Sequence, residues 1–430
     1  MPELYQQIYE LATKLYPIPR SLTGEGVRQT LQFIKEEHLP NLKIKSIPSG
    51  TPCFDWFAPK EWIINDAYII TPKGQKIAHF KEHNLHLVGY SIPVRCKLPL
   101  SELQKHIFTL PENPDAIPYV TSYYKETWGF CLPYTTLSNL PEGEYEVVIE
   151  SKLIDGVMNY GELFLEGQQE EEVLITTYVC HPSLANNEIS GPSVVTFLAK
   201  WLESINRSLS YRILFIPETI GVFCYLSRHL EQIKKVTIAG FNVTCIGDER
   251  AYSFVPTRYG NKTIDKIARH ILKYIDPTYK EYPFTEAGSN ERHLNAPGID
   301  LPVISVMRSK YGEYPEYHTS KDDLHLISPA GLGGGFEAIR QMIVALEENK
   351  IYQVTTLGEP QLGRRGLYPT TSTLDTWRQV NTLKNLLAYM DGTQDLVSIC
   401  ERIGVSIHDA LPLVKRLTEE GLITTICPQE

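Results

Sequence analysis

Four apolar runs between residues 171 and 307 are each followed by residues that could do chemistry. EEVLITTYVC is followed by His181, YRILFIP by Glu218, FNVTCIG by Asp248 and Glu249, and LPVISVM by RSKYGEYPEYHTSKDD, which contains His318. In an open α/β sheet, ligands bind outside the carboxyl ends of the strands, so these residues are expected at one sheet edge. Two imidazoles beside carboxylates form a donor set for a divalent cation such as zinc. A single His at a strand end is more often structural than ligating; the coincidence at four strand ends carries the expectation of a metal site. Six residues near the same ends, Arg250, Arg258, Arg308, Tyr311, Tyr314 and Tyr317, are candidates for substrate binding. Guanidinium forks hold carboxylates or phosphates and Tyr lines ligand pockets, although surface ion pairs are the plainer use of the Arg residues.

Other chemistries fare worse. Ser190 in EISGP lacks the GxSxG pattern of a nucleophile elbow. Cys180 precedes His181, and neighbouring residues of a strand point to opposite faces, so no Cys–His pair is expected. GLGGGFEAIR has no following P-loop Lys, and a lone TGEG fits a helix start better than a phosphate loop.

The elements that must position these residues are readable from periodicity. From about 166 to 352 the strands are continuously apolar, which implies burial on both faces, and VVTFLAKWLESI, VFCYLSRHLEQI and IDKIARHILKYI have helical spacing. The expected fold is α/β, a three-layer sandwich whose core combines residues 1–38 with 166–352. Residues 39–165 read as short antiparallel strands rich in aromatic side chains, a β-rich insertion packed over the sheet edge that presents Tyr123, Tyr124 and Trp128 near the site. A polar linker, 353–373, leads to a winged helix at 374–430.

Composition bounds the function. The 430 residues carry 41 Lys and Arg against 51 Asp and Glu, a net charge of −10, with 42% hydrophobic residues. That is a globular composition without a basic surplus, so a grip on nucleic acid is not expected. In residues 371–430 five basic residues face eight acidic ones, so the winged helix is expected to contact protein and to support association between copies of the chain. The N-terminus has neither a basic region nor an unbroken apolar stretch and no apolar run is long enough to span a bilayer, so no membrane contact and a cytoplasmic location are expected. Eight scattered Cys, the last being Cys427, form no CxxC pair and read as reduced and structural.

The order of His181, Asn187 in a Gly-containing helix start, PETIG, GDER and YHTS resembles the zinc aminopeptidases of the M28 type. With WFAPKEW, LHLVGYSIPV, AIPYVTSYYKETWGFC, YVCHPSLANNEISGP, YGEYPEYHTSKDDL and GLYPT added, the chain is similar along nearly its whole length to a bacterial aminopeptidase-like family of unknown function, in which a β-rich insert and a C-terminal winged helix accompany that core. The resemblance implies metal-assisted amide hydrolysis, with His181, Asp248 and His318 as metal ligands and Glu218 as general base. It places Asn187 where the fold has a bridging Asp. Two departures follow. The family's ANDN and GSDER read here as ANNE and GSNER, and Thr219 replaces a second Glu after the base. Neutral amides cannot supply the charge of a bridging carboxylate, so the resemblance implies one zinc, with Asn187, Glu188 and Asn290 as candidate shell residues. The expected activity is a zinc-dependent aminopeptidase-like hydrolase acting on a peptide or amino-sugar conjugate. The alternative is a catalytically inactive member that binds a small molecule or a protein partner.

Overall fold

The computed structural model describes residues 2–368 and 374–426. Cys427 and residues 369–370 of GLYPT lie outside them. The chain divides into two units, one of Met1–Gly260 with Lys280–Glu337 and one of Asn261–Tyr279 with Ala338–Glu430.

The first unit is built on an eight-stranded sheet. In chain order its strands are β1 (Lys43–Pro48), β2 (Val157–Leu165), β3 (Glu172–Tyr178), β4 (Ser210–Ile216), β5 (Thr237–Val243), β6 (Ser253–Val255), β7 (Lys280–Glu281) and β8 (Val303–Met307). They lie in the order β1-β2-β4-β3-β5-β8-β6-β7. The central four, β4, β3, β5 and β8, are parallel. Every residue of β3 and β8 is buried, which is why these strands are apolar without alternation. Tyr178 pairs with Ile216, Thr176 with Asn242 and Asn242 with Ser305, so the segments after β3, β4, β5 and β8 leave the sheet at one edge.

The insertion is smaller than 39–165. β1 and β2, at its two ends, pair with each other and extend the central sheet through β2 and β4. The half-exposed pattern of β1 is that of an antiparallel edge strand, which its sequence does not separate from a strand of an added domain. Between them lies a four-stranded antiparallel sheet of Lys76–Ile77, Glu61–Ile70, Glu144–Ile154 and Val94–Pro99. Its Ala67, Ile69, Tyr145 and Val147 share one buried cluster with Leu174, Tyr178, Leu214 and Ile216 of the central sheet, so the insertion packs on that sheet.

In the second unit, Ile351–Val354 is the middle strand of a three-stranded sheet with Asp391–Asp395 and Ile423–Ile426. The helices Leu374–Tyr389, Leu396–Ile403 and Ile407–Glu419 complete a winged helix. The boundary expected between the core, ending at 352, and the linker, beginning at 353, cuts this strand in two; the winged helix cannot form its sheet without it. The helix Thr263–Ile275 belongs to the same unit: His270 bonds Glu401 at 2.5 Å and accepts from the Ile407 N–H at 2.9 Å. No helix among the described residues is long and apolar enough to cross a membrane.

Candidate metal centre

His181 stands three residues beyond β3, where the strand has ended. Its Nδ1 lies 3.0 Å from Glu188 Oε2, and Glu188 Oε1 lies 3.4 Å from Arg20 Nε, with both of those side chains fully buried. Glu188 sits in the wide turn Ala185–Ile189 that opens the helix Ser190–Glu203. A carboxylate held by a guanidinium accepts a proton bond from Nδ1–H, which leaves the Nε2 lone pair of a neutral imidazole free. Burial opposes a charge on His181, yet Cys180 and Glu188 hold its pKa well above the ordinary value. A metal at Nε2 would therefore displace a proton.

Cys180 Sγ is 3.4 Å from His181 Nδ1, so the two residues are paired after all. The strand ends at Tyr178, so its alternation does not govern these two residues. Burial pushes the thiol up to about 11, which argues against a nucleophilic role for it.

His318 comes from the loop after β8. It has a left-handed backbone, φ 54°, and its carbonyl accepts from the Tyr119 N–H at 2.8 Å. Its ring stacks on Tyr317 at 3.9 Å and lies 5.7 Å from the His181 ring. Tyr119 packs against both imidazoles, at 5.2 and 5.0 Å. Burial, then the neighbouring His181, lower the His318 pKa to about 3. Its Nε2 is buried without a hydrogen-bond partner, as is Asn187 Oδ1. Asn187 is fixed through its other groups: Nδ2 donates to Tyr178 Oη at 2.8 Å and its N–H to Asp322 at 3.0 Å.

Glu218 follows β4. Its Oε1 accepts from Ser289 Oγ at 2.5 Å and its Oε2 faces His181 Nε2 at 3.7 Å. Burial raises its pKa and His181 opposes the rise. At 22% exposure its side chain is far more open than that of His181, at 5%, so solvent reaches the site on the Glu218 side. Thr219, the next residue, is β-branched and left-handed at φ 57°, a costly conformation that persists only where the surroundings enforce it. Here they do: its N–H donates to Asn290 Oδ1 at 3.1 Å and its Oγ1 meets His293 Nε2 at 3.0 Å.

Several candidates lie elsewhere. Asp248 is not a ligand: its oxygens accept from Asn186 Nδ2, the Ser309 N–H and Oγ and the Arg250 N–H, all at 2.8–2.9 Å. A carboxylate with four donors on it has no lone pair left for a cation. Asn290 supports the Thr219 backbone, and its neighbour Glu291 accepts from Tyr311, Asn242 and two backbone N–H groups. Tyr314 donates to Asp322 at 3.0 Å, so of the three Tyr candidates only Tyr317 touches a site imidazole. Arg250 forms a two-pronged pair with Glu316, Arg258 pairs with Asp300, and Arg308 is buried over the Tyr252 ring. Three residues escaped the sequence reading: Arg20, Tyr119 and Asp322. Asp322 accepts from the Asn186 and Asn187 N–H groups at 2.6 and 3.0 Å, and burial pushes its pKa up to about 7. Its only sequence signal is its place four residues after His318 in HTSKD.

Among the described residues, one group of three metal-ligating side chains has its donor atoms close together: Cys180, His181 and Glu188. Arg20 sits against Glu188, and a guanidinium there repels a cation, so this group orients His181 and does not fit a metal. The unpartnered His318 Nε2 and Asn187 Oδ1, with His181 Nε2 facing Glu218 at 3.7 Å, are donors of the kind one borderline cation takes.

A family described as a domain of unknown function, DUF4910, matches residues 9–349, and a winged helix-turn-helix family matches residues 350–425. A protein of Clostridium acetobutylicum, provisionally described as a polysaccharide biosynthesis protein with an aminopeptidase-like domain, is 45% identical over 363 residues, covering 84% of this chain and 83% of the relative. A crystal structure from the same organism, provisionally described as a peptidase, shares 40% identity at TM-score 0.93 and covers 99% of this chain and 97% of its own. A zinc aminopeptidase of Bacillus subtilis, at 13% identity, TM-score 0.58 and coverage of 80% and 94%, shares the fold. So does an M28 peptidase precursor of Shewanella amazonensis, at 12% identity, TM-score 0.56 and coverage of 80% and 95%. With an α/β core of aminopeptidase-like fold followed along the chain by a winged helix, the chain belongs to the DUF4910 family.

Proposed function

We infer that the chain is an aminopeptidase-like hydrolase of amide bonds that works with a single zinc held by His181 and His318, with Asn187 Oδ1 as a third donor. The observation that carries this is the pair of neighbouring imidazoles, His318 with its Nε2 unpartnered and His181 with its Nε2 turned to the partly open Glu218 carboxylate and its Nδ1 locked from behind by Glu188 and Arg20. Zinc supplies Lewis acidity toward a water and a substrate carbonyl. The chain's own groups do the rest. Glu218 takes the proton of the attacking water at Oε2, because Oε1 is held by Ser289, and returns it to the leaving amine. Its raised pKa suits both transfers. Tyr119 and Tyr317 close the imidazoles away from bulk water. The name of the clostridial relative favours an amide on a sugar-bearing molecule as the substrate class.

The test is zinc-loaded full-length protein and Glu218→Gln assayed on N-acyl amino sugars and aminoacyl anilides. Hydrolysis by the wild type and its loss in the variant, with zinc retained, is the expected result. Equal turnover by both proteins would remove Glu218 from the mechanism. The second reading, an inactive binding protein, is favoured by the neutral Asn187 and Thr219. It would stand if the zinc-loaded chain binds these compounds and hydrolyses none.

A further inference from the structure

An exposed aromatic platform adjoins the site. Phe54, Trp56, Phe57 and Tyr124 are 53%, 38%, 50% and 44% exposed, and with the half-buried Phe223 they form one connected set. Trp56 stacks on Phe223 at 5.6 Å and 19°, Phe54 meets Phe223 edge-on at 6.4 Å, and Tyr124 lies 4.6 Å from Phe57 and 6.3 Å from Trp56. Tyr124 Oη donates to the Phe57 carbonyl at 2.7 Å, which fixes the two sides together.

The platform is not incidental packing. Phe54 is the first residue of the two-residue turn joining Pro52–Cys53 to Trp56–Phe57, and its backbone is left-handed at φ 58°. Glycine is the residue suited to that position; a bulky aromatic there costs conformational energy and gains little burial. A local rule broken to hold an aromatic ring in water points to a ligand.

Two walls connect the platform to the imidazoles. On one side Phe223 lies in the first turn of the helix Ile220–Val236, its N–H donating to the Thr219 carbonyl at 3.0 Å. Its ring contacts His293 at 4.8 Å, and His293 in turn meets Thr219, beside Glu218. On the other side Tyr119 packs on His181 and His318, its hydroxyl lies 3.4 Å from that of Tyr123, and Tyr124 follows on the platform.

We propose that this platform is the subsite for a sugar ring of the substrate, one to a few units away from the amide that reacts at Glu218. The proposal rests on the hydrolase reading only for the location of the reacting end. A pyranose presents a face of C–H groups to the negative face of an aromatic ring and leaves its hydroxyls at the rim in water. A flat, open platform suits that shape. An apolar peptide side chain gains its affinity from enclosure, which these rings do not provide.

The experiment is calorimetric titration of full-length protein with an N-acetylglucosamine tetramer and with an unmodified tetrapeptide of leucine and phenylalanine. It is repeated for Trp56→Ala and Phe54→Gly, each with zinc and after chelation. Phe54→Gly relieves the left-handed strain, so its melting temperature should hold or rise while sugar affinity falls about tenfold, as in Trp56→Ala. Sugar binding that both variants leave unchanged would overturn the proposal. So would no sugar binding up to about 10 mM, or binding of the peptide alone to the platform. If zinc is absent or hydrolysis fails while platform-dependent sugar binding persists, the hydrolase reading falls and the sugar subsite stands.

Discussion

Glu188 Oε2 stands 3.0 Å from His181 Nδ1, with the Arg20 guanidinium against its other oxygen. The carboxylate missing at Asn187 is thus present one residue later, where it acts on the imidazole and not on a cation. A charged partner on the far nitrogen fixes the tautomer and makes Nε2 a better donor.

Glu188→Gln should therefore lower zinc affinity about 10- to 100-fold in chelator competition. Because it also leaves Arg20 buried without a counter-charge, urea unfolding should show a loss of about 3–5 kcal/mol. Unchanged zinc affinity would mean that Glu188 serves the fold alone.

Asn187→Asp should raise zinc affinity in calorimetry, since a charged oxygen would replace the unpartnered amide oxygen. Asn290→Asp should not, because Asn290 Oδ1 is committed to the Thr219 N–H. A gain from Asn290→Asp alone would place the cation on the wrong side of Glu218 in our account.

How far the sequence reaches is visible in these residues. That His181, Glu218 and His318 lie near one another is legible because strand ends in a parallel sheet converge, and periodicity locates strand ends. Asp248 was misplaced because it also follows a strand. Cys245, left-handed at φ 47°, redirects the chain before Asp248, and no composition rule anticipates that. Arg20 and Tyr119 arrive from segments about 160 and 60 residues before His181, so only tertiary packing brings them to it. β1 and β2 were assigned to the insertion because an antiparallel edge strand has the same alternation in either place.

Acid should destabilise the chain partly through His293. Burial, then Arg292, lower its pKa to about 4. Above its unfolded value of about 6.5 the imidazole is neutral in both states and its contribution is intact. As pH falls from there toward 4 the unfolded state takes up the proton first, and stability is lost at up to about 1.4 kcal/mol per pH unit. His293→Gln, which can keep a bond to Thr219, should flatten the dependence in that window. An identical slope would show that His293 is solvated in the folded chain.

Association between copies is expected through the winged helix, whose acidic excess disfavours phosphate backbones. Trp377, on the helix Leu374–Tyr389, is 61% exposed, and large aromatic side chains are enriched where protein surfaces meet. Full-length Trp377→Glu should then show a smaller mass by light scattering than the wild type, with zinc content unchanged, because a charge introduced into an apolar contact must be desolvated for the contact to form. A wild type that is already monomeric, or a variant of unchanged mass, would remove this face as the point of association. Salt-sensitive binding of DNA by the wild type would reassign the winged helix to nucleic acid.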